Sequence, residues 1–247
     1  MSLELPGKDK FFILLRGISG VGKTKLGRDI CAALSSTVKC VHVSNDFYFE
    51  ETGMPWSFGA VQFQAIPDVR RKVQQAVKDR ARVIICDNWN LKTPGGDGWS
   101  GDALGELWDL TVRDGGYQPI VVEFNLSSLK EAEAAVARNH RPGMETPQKI
   151  ARKNWMVMGH LPDDWDEAVP DDCYIEVEKM NRDEKLARQI LDLMGAVAPK
   201  KKTPRTKQAS RSAEAKTPKK STKSRSKSSA ATPKTTKKAK ATRKNKK

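Results

Sequence analysis

No apolar run in the sequence approaches the ~18 residues that would cross a bilayer. The short stretch Phe11–Leu15 follows acidic Glu4 and does not read as a secretory signal. Cys31, Cys40, Cys86 and Cys173 contain no CxxC pair, so no zinc site is expected. Three of them lie in or beside apolar runs, and buried, reduced thiols of an intracellular protein are the expectation. No internal repeat is present. Residues 199–247 lack Leu, Ile, Val, Met, Cys and every aromatic. Such a segment cannot bury enough apolar surface to offset its ordering entropy, so it is expected to be disordered.

Charge divides the chain at the same place. The net charge is +15 and the pI about 9.7. Of the 45 Lys and Arg, 20 lie in 199–247, beside one acid, Glu214. The remaining 25 basic residues face 29 acids, so residues 1–198 carry −4 and the tail +19. The high pI belongs to the tail, not to the folded body. The expected domains are 1–198, a globular body, and 199–247, a Lys-rich tail.

The body alternates buried apolar strands with helices. The pattern predicts strands over Phe11–Leu15, Val38–Val43, Val83–Cys86, Pro119–Phe124 and Tyr174–Val177. Helices are predicted over Lys23–Leu34, Val69–Lys78, Leu104–Val112, Leu129–Arg138, Pro147–Met158 and Arg182–Met194. Strand followed by helix, repeated, predicts a three-layer α/β fold with a mainly parallel, five-stranded sheet.

Between the first strand and first helix, residues 17–24 read Gly-Ile-Ser-Gly-Val-Gly-Lys-Thr and match GxxxxGK[ST] at every fixed position. The glycines allow successive backbone N–H groups to turn inward as an anion nest, and the helix N-terminus adds partial positive charge. Gly17, Ser19, Gly20, Val21, Gly22, Lys23, Thr24 and Lys25 form the candidate ATP-binding set. Lys23 is placed for the β- and γ-phosphates and Thr24 for Mg²⁺. The motif points to a bound nucleotide rather than to a reaction, and with the residues that follow it the expected fold is that of a P-loop NTPase, nucleotide kinase-like.

Ligands in open α/β sheets sit at the carboxyl ends of strands. The second predicted strand runs into Ser44-Asn45-Asp46-Phe47-Tyr48-Phe49, which places Asp46 beside the phosphate loop. A carboxylate there can take the proton of an attacking hydroxyl. The third strand ends in Cys86-Asp87-Asn88-Trp89-Asn90. An acid at the end of a buried strand orders Mg²⁺ directly or through water. Asn88 and Asn90 suit substrate or the neighbouring loop, and Trp89 suits a cleft wall or a base platform. Further on, Arg138-Asn139-His140-Arg141 and the basic helix with Arg152 and Lys153 have the form of a lid that carries arginines onto phosphates. Of the histidines, His42 reads as a satisfied structural residue, His140 as a surface or lid residue, and His160 as a loop residue.

In this order the motifs resemble the P-loop polynucleotide 5′-hydroxyl kinases, both phage polynucleotide kinase and the kinase domains fused to eukaryotic nucleic-acid-binding proteins. The resemblance spans roughly Phe11 to Met158. It implies ATP and Mg²⁺ at Lys23 and Thr24, with Arg138 also on ATP, and Asp87 at the metal or acceptor. It implies Asp46 as general base, with Lys23, Arg138 and Arg141 as further catalytic residues. Asp46, Tyr48, Asp87, Asn88, Trp89 and Asn90 then form the acceptor site. The chain departs from the family at Phe47, Phe49 and Trp89, all on the acceptor side. Small-molecule kinases, including toxin-type sugar-nucleotide kinases, share the same ATP half.

The tail carries Lys200-Lys201-Lys202, Thr217-Pro218-Lys219-Lys220 and Thr232-Pro233-Lys234, and is similar in composition to linker-histone tails. Its charge density predicts sequence-tolerant binding to nucleic-acid phosphates. The expected activity is ATP-dependent phosphorylation of nucleic-acid 5′ ends in the nucleus or another nucleic-acid-rich compartment, with the cytoplasm as an alternative. The alternative activities are a small-molecule P-loop kinase and a nucleic-acid-binding P-loop ATPase without transfer.

Overall fold

The computed structural model describes residues 3–88, 99–140, 144–157, 168–178 and 184–197. These belong to one compact unit, Met1–Lys201. The predicted tail, together with Trp89, Asn90, Arg141 and His160, lies outside the described residues.

Strand β1 (Phe11–Arg16) is buried at every position, as its unbroken apolar run requires of a central parallel strand. Helix α1 (Lys23–Ala33) follows, then β2 (Cys40–Val43) and α2 (Asn45–Thr52). Next come α3 (Phe58–Ala60), a π-helical turn (Val61–Ala65), α4 (Ile66–Lys78) and β3 (Val83–Asp87). Helix α5 (Trp99–Trp108) leads through a second π-helical turn (Asp109–Arg113) to β4 (Gln118–Phe124). The chain continues through α6 (Leu129–Arg138), α7 (Pro147–Val157), β5 (Tyr174–Val177) and α8 (Glu184–Leu193).

The sheet has five strands in the order β2-β3-β1-β4-β5, and every pairing is parallel. The predicted α/β class, strand count and strand direction all hold. Alternation along β1 divides the core. Ile13 and Leu15 pack with Leu26 and Ile30 of α1, Ala132 and Val136 of α6, Ile150 of α7 and Ile190 of α8. Phe12 and Leu14 pack on the opposite face with Val69 and Val73 of α4 and Leu107 and Trp108 of α5. The connection from β1 leads past β3 to β2, and that from β3 leads past β1 to β4 in the opposite direction, so a crevice opens at the carboxyl ends of β1 and β3.

Two findings differ from the sequence expectation. Residues 45–65, read as a connection, are mostly helical. Ser44 caps α2 by accepting from the Asp46 N–H at 3.2 Å, and Gly53 ends it in the left-handed region at φ 66°. The second concerns thiols. Cys31 and Cys40 were expected to be reduced but form a disulfide. The end of α1 and the start of β2 bring their Cα atoms to 5.7 Å, a separation that a disulfide spans. Cys86 and Cys173 form no disulfide. Among the described residues no helix is long and apolar enough to cross a membrane.

Candidate active site

The phosphate loop runs from the end of β1 to α1. Gly20 takes φ 82° and Gly22, the residue before α1, takes φ 106°. Gly20 also has no room for a side chain: a Cβ there would sit 1.8 Å from the Ala135 carbonyl oxygen of α6. Below the loop, buried Arg16 pairs with Glu123 of β4 at 2.7 Å, and the Tyr174 hydroxyl also donates to Glu123. Burial and the Glu123 carboxylate push the Tyr174 phenol up, so it stays a donor. This cross-strand brace fixes the point from which the loop departs.

The Lys23 side chain folds into the loop and donates to the carbonyls of Gly17 at 2.9 Å and Ile18 at 2.8 Å. Burial lowers the Lys23 pKa, while the carboxylates of Asp87 and Asp46 act in the opposite direction. Its ammonium is thus held inside the cup that the loop forms. Thr24 donates its hydroxyl to Asp87 Oδ2 at 2.5 Å. These two hard oxygens stand side by side at the mouth of the cup. Mg²⁺ favours one or two protein oxygens supplemented by water and substrate phosphate, and the pair fits that requirement. Among the described residues no cluster of three or more His, Cys, Asp or Glu is arranged to hold a metal.

These groups open onto a cleft of about 390 Å³. Ser19, Gly20, Gly22, Lys23, Thr24 and Lys25 line one side, and Asp46, Asp87, Asn88 and Arg138 also reach it. Gly17 and Val21, also in the predicted set, do not line the cleft: the Gly17 carbonyl accepts from Lys23, and Val21 is part of the core. Asn88 holds the neighbouring backbone, since its Oδ1 accepts from the Asn45 N–H at 2.8 Å and so seats the first turn of α2. Arg138 is the last residue of α6, and the next residue, Asn139, donates to Ser19 Oγ at 2.9 Å. Tyr48, a predicted acceptor residue, does not line the cleft; its hydroxyl donates to Gln64 Oε1 at 3.0 Å. His140 is exposed, with Nε2 against the Glu145 carbonyl oxygen at 3.0 Å.

The far side of the cleft went unread in the sequence. Trp56, Val61, Ile66, Val69, Leu104 and Leu107 give it an apolar wall, and Arg70, paired with Glu106 at 3.0 Å, stands among them. The spacing of Ile66, Val69 and Val73 on one stripe of α4 was the available signal. The departures at Phe47 and Phe49 also have physical accounts. Phe49 is buried in a small cluster with Ala60 and Ala65. Phe47 stands edge-on to His42, with Arg28 over its ring.

No protein-family model matches the chain, and no curated protein matches its sequence. Solved structures do match. A Chloroflexus aurantiacus protein to which kinase activity is attributed superposes with a TM-score of 0.50 at 13% identity, over 75% of this chain and 96% of that one. Shikimate kinase from Acinetobacter baumannii in complex with shikimate gives 0.43 at 16% identity, over 76% and 94%. The Pnkp1/Rnl/Hen1 RNA repair complex gives 0.46 at 16% identity, over 61% of this chain and 44% of that one. The fold is the three-layer α/β fold of P-loop kinases.

Proposed function

We propose that the chain is an ATP- and Mg²⁺-dependent kinase that transfers the γ-phosphate to the 5′-hydroxyl end of a polynucleotide. The observation that carries this reading is the convergence of Lys23, the Thr24–Asp87 pair and Asp46 on one cleft. Backbone N–H groups of the loop receive the β-phosphate. Lys23 exchanges its two carbonyl partners for phosphate oxygens. Thr24 and Asp87 would hold Mg²⁺, which would supply positive charge to offset that of the phosphates. Asp46 takes the proton from the acceptor hydroxyl as its oxygen bonds to the γ-phosphorus and the bridging oxygen leaves with ADP. Arg138 neutralises charge that builds on the transferred group.

On the acceptor side, Trp56 and its apolar neighbours suit the flat face of a terminal base, and Arg70 suits a backbone phosphate. The same wall favours a second reading, a small alcohol with an apolar body. Transfer of labelled γ-phosphate to 5′-hydroxyl DNA and RNA oligonucleotides, with 5′-phosphorylated controls, separates the two. Transfer confined to 5′-hydroxyl ends is the expected result. Absence of transfer despite ATP binding would sink the polynucleotide reading and leave the small alcohol.

The 199–247 segment supplies the second half of the proposal, a sequence-tolerant tether to the polymer. If it neutralises about six to ten phosphates, polymer affinity falls ~10³–10⁵-fold between 50 and 200 mM salt. Removing it should flatten that dependence and leave transfer to a short oligonucleotide in place. An unchanged salt slope would refute the tether.

A further inference from the structure

His42 has no role in the chemistry above, and the expectation that it is a satisfied structural histidine does not hold. Its side chain is only 7% exposed, yet Nε2 is buried without a hydrogen-bond partner. A buried polar atom in that condition calls for an explanation. Register supplies the start of one. His42 pairs with Ile85 across β2 and β3, so it shares a sheet face with Ile85 and, two residues on, with Asp87. Nε2 stands 3.6 Å from Asp87 Oδ2, the same oxygen that accepts the Thr24 hydroxyl at 2.5 Å.

The surroundings shape a seat for the ring. Thr24 and Gly27 lie one turn apart on α1. A Cβ at Gly27 would come 2.4 Å from His42 Cε1 and 2.5 Å from Nε2, so the imidazole fills the notch that this glycine leaves. On another side Phe47 meets the ring edge-on, with centroids 4.8 Å apart. Phe47 directly follows Asp46 on α2. The ring therefore touches the phosphate-loop helix, the end of β3 and the helix that bears the proposed base.

We propose that His42 is a positioning residue for Asp87. If Thr24 lends an oxygen lone pair to Mg²⁺, its O–H still donates to Asp87 Oδ2, and the buried carboxylate keeps acceptor capacity for a second donor. A closure of less than 1 Å would bring His42 Nε2–H to it at charge-assisted hydrogen-bond distance. The imidazole then holds the carboxylate in the orientation the cation needs. The inference rests on the reading of Thr24 and Asp87 as the Mg²⁺ site. Partners of this kind in metal sites change metal affinity about 10–100-fold when removed.

The test uses the full chain with a non-hydrolysable ATP analogue and Mn²⁺, following free Mn²⁺ by electron paramagnetic resonance. His42→Leu should raise the Mn²⁺ Kd about 10–100-fold, with analogue affinity in the absence of metal unchanged. His42→Gln, which keeps an N–H donor, should stay near the native value. Leu binding Mn²⁺ as well as the native chain, or Gln as poorly as Leu, overturns the proposal. Asp87→Asn runs alongside. If it keeps native Mn²⁺ affinity, the metal reading itself falls; if it loses affinity while Leu does not, only the role of His42 falls. Should the Leu variant fail to fold, ¹⁵N-histidine spectra of the native chain decide. The Nε2-protonated form, with its N–H shifted downfield on Mg²⁺ and analogue, is expected, and an unmoved signal refutes it.

Discussion

The two sides of the cleft are built differently. The donor side is one short loop between adjacent elements, held by the Arg16–Glu123 brace below and the Ala135 carbonyl behind. The acceptor side is assembled from α2, the first π-helical turn and α4, which follow one another along the chain, and from α5, which lies beyond β3. The donor side offers backbone N–H groups and charge. The acceptor side offers apolar surface with one arginine, already paired to Glu106. Phosphate is recognised by a fixed local shape, and such shapes leave a fixed spacing in the sequence. A surface assembled from several elements leaves only the apolar stripe of each, as on α4, and no single motif.

Substitutions should keep the two sides separable. The largest expected effect is at Asp46, which faces both. Asp46→Ala should lower kcat by ~10²–10⁴ while ATP affinity, measured by calorimetry, changes little. Retained transfer would remove Asp46 as the base. Trp56→Ala is expected to raise the acceptor KM about 5- to 150-fold, the range of one lost base stack, and to leave the KM for ATP where it was. A parallel rise in both would mean that the two sides are not independent. The smallest effect is expected away from the cleft. Breaking Cys31–Cys40 by Cys40→Ser should cost about 2–3 kcal/mol for so short a loop. Melting with and without reductant checks this, and alkylation of the denatured chain followed by mass spectrometry should label Cys86 and Cys173 but not Cys31 and Cys40.

Much of the fold was legible because its strands are buried on both faces. Val83–Ile85 and Ile120–Val122 read as strands wherever they are met. The bounds of α6 and β5 fall where the pattern placed them, Leu129–Arg138 and Tyr174–Val177. The phosphate loop was equally plain, since Gly20 and Gly22 are required by backbone conformation within the loop itself, with the approach of Ala135 a second reason at Gly20. The segment from Asn45 to Ala65 was obscure because Gly53 and Pro55 interrupt it and its apolar residues pack on each other, not on the sheet. Tyr48 follows two residues after Asp46 and so invited a shared role. On a helix that spacing turns the two side chains well apart, and Tyr48 is occupied by Gln64. His42 and the Cys31–Cys40 pair were misread for a common reason. Each depends on how α1 lies against β2, a relation that neither segment records alone.

The glycine that lets the phosphate loop touch α6 also has a mechanical meaning. With no side chain between Gly20 and Ala135, loop and helix have no slack between them and cannot slide past each other. The loop becomes a lever arm, α6 its rigid extension, and Arg138 the tip. The Asn139–Ser19 hydrogen bond closes this linkage one residue further on. Loop and helix are thus pinned at two points, Gly20 against Ala135 and Ser19 to Asn139, which flank Arg138 along the chain.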